Sequence, residues 1–389
     1  MTEKAGKNRS DYKRVNRGLV LRMIATGECA TRSDLVRSTG LSKMAISNIV
    51  AEMLQQNLLV ETSTVQSEEL GRPPICLALS PDAPKVIGLA IHRDRCEVVL
   101  CDLSLRILKQ EQLSMPEGMD EEKLIHMTFQ LIDTVLLGET NVLGIGLATI
   151  GPISVQAGKI LNPYFFYNIQ NVEIVRILTE RYNLPVFFDH DNQSAVQVEF
   201  LYGNGRGYKD MLFIGIGTGV GCGIISNGQL FGNQRGLPPE FGHVSIDANG
   251  RPCTCGNRGC IETYVRTPEL LKKLRYHTGK FYSYETFSNM QDDKNVELVF
   301  LDAVNKLATA LISMVNILNS ELILLGNDAA FWPDRYIKLL ENQINERRFV
   351  VWDHPVLVNR PYFMRKSALL GAACNAAVQV FAGNLLFQA

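Results

Sequence analysis

No stretch of eighteen consecutive apolar residues occurs in this 389-residue chain, so no membrane span is expected from the sequence. The first twenty residues, MTEKAGKNRSDYKRVNRGLV, lack the apolar core of a secretory signal, which leaves the cytoplasm as the expected compartment. Nine cysteines, an odd number without an export signal, argue against a disulfide framework. Low-complexity tracts and short repeats are missing as well. What is present, 46% hydrophobic residues and 20% charged, is ordinary for a globular chain long enough for two or three domains. The net charge of −1 is unevenly spread. Residues 1–60 carry ten Lys/Arg against five Asp/Glu, about +5, which leaves the remainder at about −6. A basic head on an acidic body fits a nucleic-acid-binding arm, although charge alone fits a solvated helical face equally well.

The head reads as three short helices and a hairpin. Leu19, Val20, Met23 and Ile24 give one apolar helical face that ends near Thr26-Gly27. Thr31 to Asp34 starts a second helix, which Gly40 stops. Ser42 is a suitable N-cap for a third, whose inner stripe is read as Met44, Ala45, Ile46, Ile49, Val50, Met53 and Leu54. The four-residue turn Ser38–Leu41 has the length a helix-turn-helix needs. Strand-like runs at Leu58–Val60 and Ile75–Leu79 flank a polar stretch closed by Gly71-Arg72-Pro73-Pro74, the pattern of a wing. On a DNA-reading helix, short polar or basic side chains must face outward near the N-terminus. Ser42, Lys43, Ser47 and Asn48 meet that demand. Arg32 and Arg37 are expected to reach phosphates, and Arg72 to enter a minor groove. Double-stranded operator DNA is therefore an expected partner, with a protein-docking winged helix as the alternative.

After a turn-rich linker at Ser80–Pro84, strands alternate with helices in two sets, which implies α/β lobes around a cleft. The expected strands include Val86–Ala90, Cys96–Leu103, Val142–Ile150, Val186–Phe188, Leu322–Leu325 and Pro355–Val358. Expected helices include Leu124–Leu137, Asn192–Tyr202, Asn295–Asn319, one near 333–347, and Arg365–Phe381. The domain division read from this is 1–80 for the winged helix, 85–200 for a first lobe with helix 365–382 packing back on it, and 201–364 for a second lobe.

His243, Cys253, Cys255 and Cys260 form a His-x9-Cys-x-Cys-x4-Cys pattern. Three thiolates and an imidazole close a tetrahedron around Zn²⁺ and leave no position for water, so a structural rather than hydrolytic zinc is expected. The other six cysteines lie among apolar neighbours and read as small core residues.

The block Glu240-Phe-Gly-His243 through Cys253-Thr-Cys255-Gly-Asn-Arg-Gly-Cys260-Ile-Glu262 resembles the signature of the ROK family (repressors, open reading frames, kinases). So do Gly144-Ile-Gly-Leu-Ala148, Phe188-Asp189-His190-Asp191 with Glu199 downstream, and Gly217-Thr-Gly-Val-Gly-Cys-Gly223. With a winged helix ahead of them, they resemble the regulator branch that holds the N-acetylglucosamine and xylose repressors. The resemblance implies a two-lobed, actin-like (hexokinase-type) fold. It also implies a sugar or sugar phosphate held in the interlobe cleft by Asp191, Glu240, His243 and Glu262, and a homodimer or homotetramer. Two departures stand out. His190 occupies the place where the family usually has Asn, which puts it among the sugar contacts. The kinases' Asp-x-Gly-Gly-Thr is replaced by Ala90-Ile-His92-Arg93-Asp94, with alanine where the metal-side carboxylate belongs. Phosphoryl transfer rests on positioning and electrostatics, so that loss removes most of what the reaction uses. The expectation is therefore no catalytic residue, and a sugar-responsive repressor. A ROK-type sugar kinase with a DNA-binding head is the alternative, and a zinc-stabilised scaffold without ligand a third reading.

Overall fold

The computed structural model describes residues 9–64, 75–232, 237–290, 293–349 and 354–387. It opens with α1 (Arg9–Ala25), α2 (Arg32–Thr39) and α3 (Lys43–Gln55), followed by β1 (Leu59–Thr64) and β2 (Ile75–Leu79). Local chemistry sets these boundaries. Thr31 caps α2 reciprocally: its hydroxyl accepts from the Asp34 amide at 3.2 Å, and the Asp34 carboxylate accepts from the Thr31 amide at 3.1 Å. Gly40 ends the helix at φ 69°, a conformation that costs glycine little. Ser42 caps α3 by accepting from the Ala45 amide at 3.2 Å. Leu35, Ile46, Val50, Met53, Leu59 and Leu77 are buried with α1 residues Val20 and Leu21, which gives these elements a small apolar core. Arg17 on α1 pairs with Glu52 on α3 at 2.7 Å. β1 and β2 are antiparallel, and the Leu77 amide donates to the Ala30 carbonyl, closing the hairpin onto the start of α2.

One residue of the expected inner stripe is misplaced. Met44 is 70% exposed, whereas Ile46, Val50 and Met53 form the buried face. It lies two residues before Ile46, roughly 200° around a 3.6-residue helix, and so on the opposite side.

The rest of the chain runs β3 (Lys85–Ile91), β4 (Arg95–Cys101), β5 (Ile107–Ser114), α4 (Glu121–Leu136), β6 (Val142–Thr149), the short pair β7 (Ile153–Ser154) and β8 (Lys159–Ile160), α5 (Ile174–Tyr182), β9 (Val186–His190) and α6 (Asp191–Tyr202). Then follow β10 (Met211–Ile216), β11 (Val220–Ser226), β12 (Gln229–Leu230), α7 (Glu262–Val265), α8 (Thr267–Thr278), α9 (Lys294–Leu318), β13 (Leu322–Asn327), α10 (Asp334–Arg347), β14 (Leu357–Asn359) and α11 (Ser367–Phe381). β5, α5 and α8 were not anticipated. β5 is an edge strand of mixed polarity, and α5 and α8 are short helices rich in charge.

Two compact units result: Met1–Thr149 with Tyr164–Phe188 and Ala372–Ala389, and Ile150–Pro163 with Asp189–Gly371. Each holds a five-stranded mixed sheet, in the orders β5-β4-β3-β6-β9 and β12-β11-β10-β13-β14. Both orders repeat one plan: an antiparallel meander of three strands, then a parallel strand added beside the first. In the first unit, Gly146 on β6 leaves room for α11, because a Cβ there would lie 1.7 Å from the Ala372 carbonyl oxygen. In the second unit, α7, α8, α9 and α10 cover one sheet face with a core that includes Phe287, Phe300 and Trp332. α9 is long and apolar enough to cross a membrane by length and composition, but half of that stretch is buried in this core. Glu199 of α6 is fully buried. Its carboxylate accepts from the Tyr362 and Phe363 amides at 2.9 and 3.0 Å and from the Ser367 hydroxyl at 3.0 Å, tying α6 to the start of α11.

Candidate functional site

Asp191 is the first residue of α6, where the positive end of a helix favours a carboxylate. His190 is the N-cap, its Nδ1 accepting from the Asn192 amide at 3.3 Å. The same Nδ1 lies 3.0 Å from Asp191 Oδ1, and Asn192 Nδ2 donates to that oxygen at 2.6 Å. His190 and Asn192 are buried and Asp191 is largely so. Just before this cluster, the Asp189 carboxyl is pushed up to about 6 by burial, against the opposing pull of the His190 amide.

The glycines facing this cluster are spaced by contact. A Cβ on Gly215 would lie 1.9 Å from Asn192 Oδ1, on Gly221 2.5 Å from Asn192 Nδ2, and on Gly223 2.0 Å from the Asn192 carbonyl oxygen. Three glycines of the β10–β11 hairpin thus serve the close approach of α6. Gln193 strengthens the same junction by accepting from the Ile224 amide at 3.0 Å and donating to the Phe231 carbonyl at 2.6 Å.

Glu240 and His190 converge on Gly151, where an added Cβ would meet His190 Nε2 at 3.0 Å and Glu240 Oε1 at 3.8 Å. Glu262 Oε2 accepts from the Val220 amide at 2.9 Å and borders Gly242, two residues after Glu240. The structure therefore gathers His190, Asp191, Glu240 and Glu262 around β11 and its neighbours, within the second unit. Asn192 belongs to the same cluster and was not anticipated; its signal in the sequence was its place directly after Asp191.

His243 follows in the same turn. One ligand atom from each of His243, Cys253, Cys255 and Cys260 lies within 4.8 Å of the others. His243 Nδ1 is 3.5 Å from Cys253 Sγ, and Cys255 Sγ is 3.7 Å from Cys260 Sγ. Tetrahedral zinc, with bonds of roughly 2.3 Å to sulfur and 2.0 Å to nitrogen, spans edges of about 3.8 and 3.5 Å, so the donor set fits that ion. Gly259 shapes the loop: its φ is 69°, and a Cβ there would lie 1.9 Å from the Asp247 carbonyl oxygen. Burial pushes the Cys260 thiol up to about 12, while the amide of Asn257 and the neighbouring thiols pull Cys255 down.

In the first unit, the β3–β4 turn has a different character. The His92 amide donates to the Arg95 carbonyl at 2.9 Å, and Glu97 lies between His92 Nε2 and the Arg95 guanidinium at 3.0 Å from each. Arg93 turns away to donate to the Tyr164 carbonyl at 3.2 Å. Ala90 pairs with Glu97 across the strands and is buried. Glu97 and Arg95, of opposite charge, close the turn together with His92.

Of the residues expected at DNA, Lys43, Ser47 and Asn48 are exposed on one side of α3 with Met44, while Ser42 is exposed as its cap. Arg32 pairs with Glu61 at 2.8 Å, and Arg37 pairs with Asp34. Arg72 lies outside the described residues.

The sheet plan repeated in two α/β units is that of the actin-like class. Within that class the chain belongs to the ROK family, whose pattern residues 86–378 match. The xylose repressor of Caldicellulosiruptor bescii is 26% identical over 384 residues, covering 94% of this chain and 96% of that protein. Among solved structures, a ROK family transcriptional regulator, homolog of the E. coli MLC protein, aligns with a TM-score of 0.80 at 22% identity over 97% of this chain and 98% of that one. A ROK hexokinase from Thermus thermophilus aligns with a TM-score of 0.65 at 26% identity, over 76% of this chain and 99% of its own.

The Glu97 cluster carries a pH signature. Burial alone would raise this carboxyl, but His92 and Arg95 outweigh it and hold it at about 2, below the ordinary 4.5. A carboxylate depressed on folding contributes stability above its unfolded pKa and loses it as pH falls towards the folded value, here on the order of 3 kcal/mol in full. Glu97→Gln is therefore expected to lower stability at neutral pH and to flatten the fall between about pH 4.5 and 2, as followed by denaturant midpoints. An acid limb of unchanged steepness in the variant would contradict the assignment.

Proposed function

We propose that this protein is a sugar-responsive transcriptional repressor, located in the cytoplasm, whose operator affinity changes when a sugar or sugar phosphate binds at the Asp191 cluster. In this reading residues 1–80 are a winged helix-turn-helix, with lobes at 85–200 and 201–364 behind it. The observation that carries it is the contrast between two sites in one chain. Around Asp191 the carboxylates of Glu240 and Glu262 gather with His190 beside β11, whereas the β3–β4 turn is filled by His92, Arg95 and Glu97 around Ala90. Carboxylates accept paired hydrogen bonds from vicinal hydroxyls, which suits a saccharide. A buried alanine at this position supplies no magnesium ligand, and the charged side chains fill the turn that would meet phosphates. The repressor relatives, similar over nearly the whole chain, support the same reading, with the kinase alternative the weaker one.

The test is a coupled assay with ATP, Mg²⁺ and a panel of hexoses, pentoses and N-acetylhexosamines, run beside a gel shift on the operator. Phosphoryl transfer above background would end this reading. Asp191→Asn is expected to abolish the sugar's effect on operator binding while leaving the sugar-free complex intact; retained induction would remove Asp191 from the site.

DNA contact is assigned to Lys43, Ser47 and Asn48 on α3, to Ser42 at its cap, and to Arg32 and Arg72 on the phosphates and minor groove. Met44 joins them as the apolar member of the exposed face, suited to the C5-methyl group of thymine in a major groove. Removing that methyl by thymine-to-deoxyuridine substitution at the contacted step should weaken binding roughly threefold to fivefold, the scale of one buried methyl group. Met44→Ala should erase the difference. Equal binding of both operators by the unsubstituted protein would refute the Met44 role alone.

Zn²⁺ is the metal proposed for His243, Cys253, Cys255 and Cys260, as a structural ion that cross-links the loop. The 3.5 Å approach of Cys253 to Nδ1 makes that nitrogen the ligand and leaves Nε2 to donate elsewhere. Cys255→Ser is expected to lower zinc content and melting temperature together, because the ion's binding energy is folding energy for the loop. Full zinc occupancy by metal analysis would refute the ligand set. A homodimer or homotetramer is the expected assembly, since a two-fold pair of heads reads a pseudo-palindrome.

A further inference from the structure

A cavity of about 480 Å³ lies against the metal loop in the second unit, lined by four cationic side chains, Arg251, Arg266, Lys272 and Lys273, and by two acidic ones, Glu262 and Glu269. The charges do not cancel. Glu269 serves two guanidinium groups, Arg266 at 3.1 Å and Arg251 at 3.5 Å. Lys273 turns to Asp302 at 2.8 Å, and that carboxylate also holds Lys306. Lys272 is exposed and has no ion-pair partner among the described residues. Arg266 Nε is buried without an acceptor among them. One carboxylate for every two cations leaves a positive surplus in a concave place, where low-dielectric walls strengthen its field.

The cations are also held in position. Arg251 stacks over the Tyr264 ring at 5.0 Å and donates to the Thr263 carbonyl at 2.9 Å. Arg266 sits where the chain enters α8, its guanidinium steadied by Glu269. Two fixed guanidinium groups suit the oxygens of a phosphate, which they bind through paired N–H donors. The volume falls in the range of small-molecule sites.

We propose that this cavity is a second ligand site, which shares Glu262 with the Asp191 cluster but not Asp191 itself, and takes a small molecule carrying a phosphate group. Its occupant rests against Thr254, between the loop cysteines Cys253 and Cys255, and against Glu262, whose carboxylate also borders the Asp191 cluster. The proposal is independent of what the DNA-binding head does.

The experiment is isothermal titration of the full chain with inorganic phosphate at constant ionic strength. Saturable binding of one phosphate per chain is expected, with Kd raised at least roughly tenfold in the Arg266→Gln/Lys272→Gln pair, the scale of one lost charge-assisted hydrogen bond. Asp191→Asn should leave it unchanged. Lys272→Glu alone, at an exposed position, should weaken binding severalfold and keeps the test sound if the pair folds poorly. Unsaturable binding, an unaltered Kd in both the pair and Lys272→Glu, or loss of binding in Asp191→Asn would each overturn the proposal. The last of these would place the phosphate at the Asp191 cluster.

Discussion

The close approach of α6 to the β10–β11 hairpin is the constraint on which the rest of the site depends. Asn192 is inserted where three glycines offer no Cβ, and even one methyl group at Gly215 or Gly223 would collide with it at about 2 Å. Core packing tolerates no such overlap, so a side chain there must displace the helix or bend the strands. Displacing the helix moves its first turn, and that turn carries Asp191 with the hydrogen bond from Asn192 that orients its carboxylate. The far end of α6 is fixed as well, because buried Glu199 accepts two amides and a hydroxyl from the segment before α11. The Asp191 carboxylate is thus held on a rigid element by packing at one end and hydrogen bonds at the other.

The duplicated sheet allows a direct comparison of the two hairpins. In the second unit the β10–β11 strands kept their glycines, and the contacts explain the retention through helix packing without any phosphate. In the first unit the corresponding β3–β4 turn carries His92 and Arg93 in place of glycines, and Glu97 pairs there with Arg95 and His92. Each of these observations alone is ambiguous. Together they favour the proposed ligand cluster at Asp191 over a phosphoryl-transfer site. The glycine motif by itself, read as a string, supports both.

Much of this was legible in the sequence because the signals are local. Thr31, Asp34, Gly40 and Ser42 mark helix ends through bonds that span three or four residues, and the His/Cys spacing fixes its own loop. The Asp191, Glu240 and Glu262 signatures mattered less as separate strings than as one neighbourhood, which no spacing rule gives. Met44 was misread because an apolar residue beside an apolar stripe is assigned inward by default, although its angle on the helix points outward. β5 alternates too weakly to register, since an edge strand with one wet face need not be apolar. The Glu97 cluster was invisible for another reason: its partners meet across a strand register, and only the pairing of Ala90 with Glu97 brings His92 within reach.

His243 links the proposed metal loop to the proposed sugar cluster through one imidazole. It lies three residues after Glu240, with Nδ1 turned towards Cys253. A neutral imidazole bound through one nitrogen must carry its proton on the other, so ligation at Nδ1 fixes Nε2 as a donor. Under the proposed zinc site, loss of the metal would free this ring to rotate and to exchange tautomers as well as loosen the loop. If His243 serves both the proposed metal and the proposed sugar, the two would be thermodynamically coupled. The coupling runs both ways, because whatever the ordered ring adds to sugar affinity the bound sugar must return to metal affinity.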